Sequence, residues 1–191
     1  MVTDGVPKPT QLRAEYVRSD KTRGLELPGD DRFLRAARGI EDALVTEEAA
    51  PVRTACVEFL RLAAEYYEVS MPRVRVLRAR PIRVREGGWG TELFGDYHFD
   101  EKLIRVWMRT AIQKRVTSFG TFFATLCHEF SHHLDRERFG FMETPHTRGF
   151  YERTATLYHH ARSTPAKRLC WVPFSGGRWR IDWPRTNRGG R

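Results

Sequence analysis

Apolar residues recur at helical spacing in four stretches of the chain, and in a fifth they alternate with arginine. Phe33, Leu34, Ala37, Ile40 and Leu44 share one face behind Gly29-Asp30-Asp31, which offers an N-cap. Val52, Cys56, Phe59, Leu60, Ala63 and Tyr67 line a second helix, running from Pro51 to about Val69. From Arg73 to Glu86 the period changes to two. Val74, Val76, Ala79, Ile82 and Val84 interleave with Arg73, Arg75, Arg78, Arg80, Arg83 and Arg85, with a break around Leu77 and Pro81. Gly87-Gly88 reads as a turn. Trp89 to Phe99 and Leu103 to Met108 read as two further strands joined by Asp100-Glu101-Lys102. Helical spacing returns over residues 118–138, where Phe122, Phe123, Leu126, Cys127, Phe130 and Leu134 are the apolar side, and over 147–162. Helices, a small sheet and further helices predict an α+β fold.

The ends lack this regularity. Residues 1–29 are polar and rich in Pro, Gly and charge, which predicts a flexible N-terminal arm. After Pro165 the chain is irregular, with Trp171, Trp179 and Trp183 among Arg and Gly. This predicts a basic C-terminal tail over residues 163–191 and a main domain over 30–162.

The helix at 118–138 carries the chemistry. His128-Glu129-Phe130-Ser131-His132 is H-E-x-x-H. Residues four apart lie on one helical face, so both imidazoles can reach a single Zn²⁺. Glu129 lies about 100° round the helix, beside the metal rather than on it, where it can act as the general base of a peptidase. A catalytic zinc usually keeps three protein ligands and one open position. Asp135 and Arg138 stand where a metzincin needs Gly and His, which excludes that class. Two candidates for the third ligand remain: His146, at the start of the next helix, and Glu152, inside it.

The run His128-Glu129-Phe130-Ser131-His132-His133-Leu134, followed by His146-Thr147-Arg148-Gly149-Phe150, resembles the SprT-like (Spartan-type) zinc metallopeptidases. His146 with an aromatic residue four positions later carries most of that resemblance, which spans roughly residues 89–162. It implies a zincin-like domain, with a small mixed or antiparallel sheet packed on helices. It implies that His128, His132 and His146 bind one zinc ion and that Glu129 is catalytic. The chain departs from the family in having Thr147 where a glycine is usual and in lacking a cysteine zinc ribbon.

Charge and cysteine content narrow the setting. Thirty-three Lys and Arg against 24 Asp and Glu give a formal charge of +9. Such a surface attracts phosphate backbones or acidic proteins. The arginines of 73–85 admit three readings: a solvated strand face, a nucleic-acid-facing surface, or a face for acidic substrate. Lys167, Arg168, Arg178, Arg180, Arg185, Arg188 and Arg191, interleaved with Trp, suggest a segment that stacks on single strands. Three cysteines, Cys56, Cys127 and Cys170, make no disulfide framework and contain no C-x-x-C pair. No stretch reaches about 18 apolar residues, and residues 1–10 do not read as a signal peptide. The expected location is the cytoplasm.

The expected activity is therefore hydrolysis of peptide bonds by a zinc metalloprotease, with nucleic-acid-associated proteins as one substrate class. A peptide would lie along the strand at 103–108. Two rivals stand beside it: a repressor-cleaving regulatory zincin that uses Glu152, and a non-catalytic, zinc-stabilised nucleic-acid-binding domain. Of the other candidates, His133 points off the metal face, His98 is structural, Cys127 is core, and His159 and His160 suit a helix C-terminus. Met142 could floor the metal site. Tyr151 and Tyr158 are possible oxyanion donors.

Overall fold

The computed structural model describes residues 1–84 and 90–189, and two compact units emerge: residues 28–134, and residues 1–27 together with 135–191. Arg85, the Gly87-Gly88 turn, Trp89 and Arg191 lie outside the described residues. The architecture is α+β, with six helices, a small mixed sheet and short hairpins among the described residues.

In the unit of residues 28–134, α2 (Arg32–Val45) and α3 (Ala49–Tyr67) realise the two apolar stripes read from the sequence. Phe33, Phe59 and Tyr67 are buried. Phe59 meets Phe33 at 5.7 Å and Phe123 at 5.0 Å between ring centroids, the latter edge-on. Such pairs add about 0.5–1.5 kcal/mol each beyond their burial. The strands follow as β1 (Arg73–Ala79), β2 (Ile82–Val84), β3 (Gly90–Glu92), β4 (Gly95–His98) and β5 (Leu103–Arg109). β1 pairs parallel with β5, and β4 pairs antiparallel with its other side, so the sheet runs β1-β5-β4. The helix with the H-E-x-x-H sequence, α4 (Phe119–Glu137), begins in this unit. Ser118 Oγ accepts from the Thr121 N–H at 3.3 Å and so caps its first turn.

The placement of β5 corrects one expectation. The sequence suggests an exposed strand at 103–108 for a peptide to lie along, but β5 is hydrogen-bonded on both sides. Its sequence already carries the reason: Leu103, Ile104, Val106, Trp107 and Met108 are all buried, the near-continuous apolar run of a central strand. Among the described residues the edges of this sheet are β1 and β4, each of which pairs only with β5.

The arginine stripe divides. Arg73, Arg75 and Arg78 are exposed, as a solvated strand face requires. Arg80 is buried. It bonds Glu92 at 2.9 Å and Thr117 at 2.9 Å, and its guanidinium lies 3.8 Å from the Phe94 ring centroid. A cation with a carboxylate, a hydroxyl and an aromatic face is accommodated inside the fold rather than offered to a ligand.

The second unit contains α1 (Thr10–Lys21), the last three residues of α4, α5 (Arg148–Ala161), β6 (Trp171–Phe174), β7 (Arg178–Ile181) and α6 (Trp183–Asn187). Both ends differ from the sequence reading. Within residues 1–29 there is a 12-residue helix, α1, which was hidden because only Tyr16 and Ser19 of it are buried. The irregular tail of 163–191 holds a hairpin and a short helix. Gly176 and Gly177 make its turn at φ 70° each, a conformation that glycine adopts without penalty.

The first residues lie along that hairpin. Val2 bridges Arg180, Thr3 N–H donates to the Trp179 carbonyl at 2.8 Å, and Ile181 N–H donates to the Met1 carbonyl at 3.2 Å. α1 packs on α5 with almost no clearance. A Cβ on Gly149 would sit 2.0 Å from the Ser19 carbonyl oxygen, so no other residue fits there. Among the described residues, no helix is long and apolar enough to cross a membrane.

Candidate metal centre

α4 positions the first two candidate ligands. Its apolar side, with Phe122, Phe123, Leu126, Cys127 and Phe130 all buried, fixes its rotation about its own axis. His128 and His132 are therefore brought together one turn apart, with ring centroids 4.9 Å apart and planes at 83°. His128 is half-buried and His132 buried.

Glu129 is 6% exposed and lies beneath the backbone of β4. A Cβ on Gly95 would come within 2.9 Å of its Oε1 and 2.6 Å of Thr125 Cγ2. Gly95 is thus the residue that lets the edge strand approach the carboxylate. Burial, and then the charge of Asp96, push the Glu129 carboxyl up to about 8. Asp96 is itself held in place by Arg105, with contacts of 2.7 and 2.6 Å.

His133, the next residue along from the motif's second histidine, has a different task. It is fully buried. Its Nε2 lies 2.6 Å from the Ser70 carbonyl and its Nδ1 lies 2.8 Å from the Tyr97 hydroxyl. The carbonyl can only accept, so Nε2 carries the proton and Nδ1 accepts from Tyr97. Both nitrogens are committed, and His133 ties α4 to the start of β1 and to β4.

His146 stands just ahead of α5, whose N-cap is Thr147. The Thr147 hydroxyl accepts from the Phe150 N–H at 3.0 Å and meets Ser19 Oγ at 2.9 Å. Thr147 therefore caps the helix. The His146 ring stacks on Tyr151, with centroids 5.8 Å apart and planes at 23°, and meets Phe150 edge-on at 5.1 Å. Asp4 lies against it: Oδ2 accepts from the His146 N–H at 2.8 Å and lies 3.3 Å from Nδ1. Burial raises the Asp4 carboxyl, but these bonds to His146 outweigh it and hold the group below its ordinary value.

One nitrogen from each of His128, His132 and His146 lies within 4.8 Å of the others, so this group could hold one metal ion. The donor chemistry fits the ion expected from the sequence, because three imidazoles suit zinc and leave one tetrahedral position open. The other proposed third ligand, Glu152, is engaged elsewhere. Its Oε1 accepts from Arg23 Nη1 at 2.9 Å and from Trp171 Nε1 at 3.0 Å.

The remaining candidates are placed as follows. The Tyr151 hydroxyl already donates to the Val2 carbonyl at 3.1 Å, whereas the Tyr158 hydroxyl accepts from Arg162. Met142 is 52% exposed. Cys127 is buried. His159 Nδ1 meets Thr164 Oγ1 at 2.8 Å, and His98 lies 3.4 Å from Asp96.

Asp4, Gly95 and Asp96 escaped the sequence reading. Asp4 sits in a polar segment without periodicity, and no local spacing links it to His146, 142 residues on. Compared with protein-family models, with curated proteins and with solved structures, the chain matches none.

Proposed function

We propose that this protein is a zinc-dependent metallopeptidase in which His128, His132 and His146 hold the ion and Glu129 is the general base. The observation that supports it most is the three-imidazole group with a buried carboxylate next to one of its members on the same helix. Among the described residues the group stops at three donors. A structural zinc site usually closes with four, so the count favours catalysis over a purely stabilising role.

Zinc bound there would supply Lewis-acid chemistry, acidifying a water molecule and polarising the scissile carbonyl. The protein's own contribution is then proton transfer and positioning. Glu129 takes the proton from the attacking water and delivers it to the departing amine. Its burial leaves the carboxyl easy to protonate, and a cation held by the three imidazoles would favour the ionised form that a base requires. An extended substrate would add to the free edge of β4, where main-chain groups from Gly95 to His98 can pair with it directly above Glu129. The resemblance to SprT-like peptidases agrees with this assignment. Exposed Arg73, Arg75 and Arg78 make proteins associated with nucleic acid a reasonable substrate class.

Casein hydrolysis by the purified protein tests the reading. Activity is expected to vanish on treatment with a strong chelator and to return on adding one equivalent of Zn²⁺. Hydrolysis that survives complete metal removal would refute it.

A further inference from the structure

The third ligand of the proposed centre differs from the other two in its support. His128 and His132 are fixed by the backbone of a 19-residue helix. His146 precedes its helix and has no such frame. What holds it is the chain's first few residues. Asp4 N–H donates to the His146 carbonyl at 2.9 Å, while Asp4 Oδ2 accepts from the His146 N–H at 2.8 Å and faces Nδ1 at 3.3 Å. Asp4 thus grips both the backbone and the ring of one histidine.

The segment that carries Asp4 is anchored on each side. Met1 to Thr3 bond to β7 through Ile181, Arg180 and Trp179. The Trp179 N–H also donates to Thr3 Oγ1 at 2.9 Å. The Tyr16 hydroxyl donates to the Asp4 carbonyl at 3.0 Å, and the Tyr151 hydroxyl donates to the Val2 carbonyl at 3.1 Å. Tyr16 and Tyr151 are buried. A polar N-terminal strap is therefore bonded at four successive residues, and it ends on the one proposed ligand that lacks a helix.

We propose that Asp4 is a positioning residue for the metal centre: its carboxylate fixes the ring and tautomer of His146 so that Nε2 is presented to the ion. With the Nδ1 proton directed at Asp4 Oδ2, the Nε2 lone pair is left bare, which is the form a metal requires. Stacking on Tyr151 fixes the ring plane, and the Asp4 contact decides which nitrogen faces outward. Partners of this kind, a carboxylate behind a ligating imidazole, change metal affinity by about 10–100-fold when removed. The inference rests on the three-histidine reading above and adds that the N-terminal strap belongs to the metal site.

Zinc affinity, measured by chelator competition at a temperature where circular dichroism shows each apo-protein folded, tests it without recourse to activity. Asp4→Ala is expected to weaken zinc binding by about 10–100-fold. Asp4→Asn keeps an acceptor oxygen at that position and is expected to recover a large part of the loss. Asp4→Ala binding as tightly as the natural protein would overturn the proposal, and so would a loss that Asp4→Asn does not recover at all. If Asp4→Ala fails to fold, Asp4→Asn carries the test: it must bind within about tenfold of the natural protein, and a larger loss overturns the proposal. If the natural protein binds no zinc, the three-histidine reading falls and this inference with it. If the natural protein binds and the variants equal it, only the role of Asp4 falls.

Discussion

Glu129→Gln is expected to leave the metal bound and to lower kcat/KM for peptide hydrolysis by about 10²–10⁴-fold. Gln is nearly isosteric, so it fits the narrow space under β4 where a Gly95 Cβ would already collide with the native side chain. It is neutral, so it also spares the fold any cost of a buried charge next to Asp96. What it cannot do is accept a proton at neutral pH and return it. The three imidazoles are untouched, and zinc stoichiometry by elemental analysis should equal that of the natural protein. Parallel measurement of metal content and casein hydrolysis checks both halves. Undiminished hydrolysis would remove Glu129 from the mechanism, whereas joint loss of zinc and activity would mean that its role is structural.

The second large effect concerns stability. Arg153→Met is expected to destabilise the protein by about 3–5 kcal/mol, because it removes one partner of a buried ion pair. Arg153 and Asp135 are almost fully buried, and Arg153 Nη2 contacts both carboxylate oxygens at 2.7 and 2.8 Å. The same guanidinium donates to the carbonyls of Ser19 and Thr22 and so binds the end of α1 to α5. Met fills much of the volume and satisfies none of those acceptors. Burial already lifts the Asp135 carboxyl to about 6 against the pull of Arg153. Without the guanidinium it rises further, and the folded variant holds a proton that the unfolded chain releases above about pH 4. Raising the pH above about 4 therefore favours unfolding of the variant, and its deficit against the natural protein should widen from about pH 6, where the natural protein's carboxyl ionises, until the further-raised carboxyl is ionised too. Urea denaturation across that range checks the magnitude and the sign. A loss under about 1 kcal/mol would show that the pair contributes little.

The parts of the fold that were legible in the sequence are those whose periodicity matches their burial. α2, α3 and α4 each bury a continuous stripe, and the ends of α3 and α4 fall within about two residues of the expected bounds. His128 and His132 follow from spacing alone, since one helical turn dictates that they meet. The elements that were not legible are stabilised by polar contacts. α1 buries only Tyr16 and Ser19 and is held through Ser19, Asp20 and Arg153, which no hydrophobic pattern encodes. β6 and β7 are four residues each, too short for alternation to stand out among tryptophan and arginine. His146 was legible only through its resemblance to a known spacing, and Asp4 not at all, because its partner is 142 residues away. The same limit explains Arg80. All three readings of its stripe place it at the surface, but Glu92, Thr117 and Phe94 come together around it only in the folded chain.

X-ray absorption spectroscopy on the purified, zinc-loaded protein addresses the central claim most directly. One zinc per chain is expected, with three imidazole nitrogens at about 2.0–2.1 Å and a fourth ligand, an oxygen from solvent. A protein that takes up no stoichiometric metal, or one whose zinc shows fewer than three imidazoles, would contradict the account.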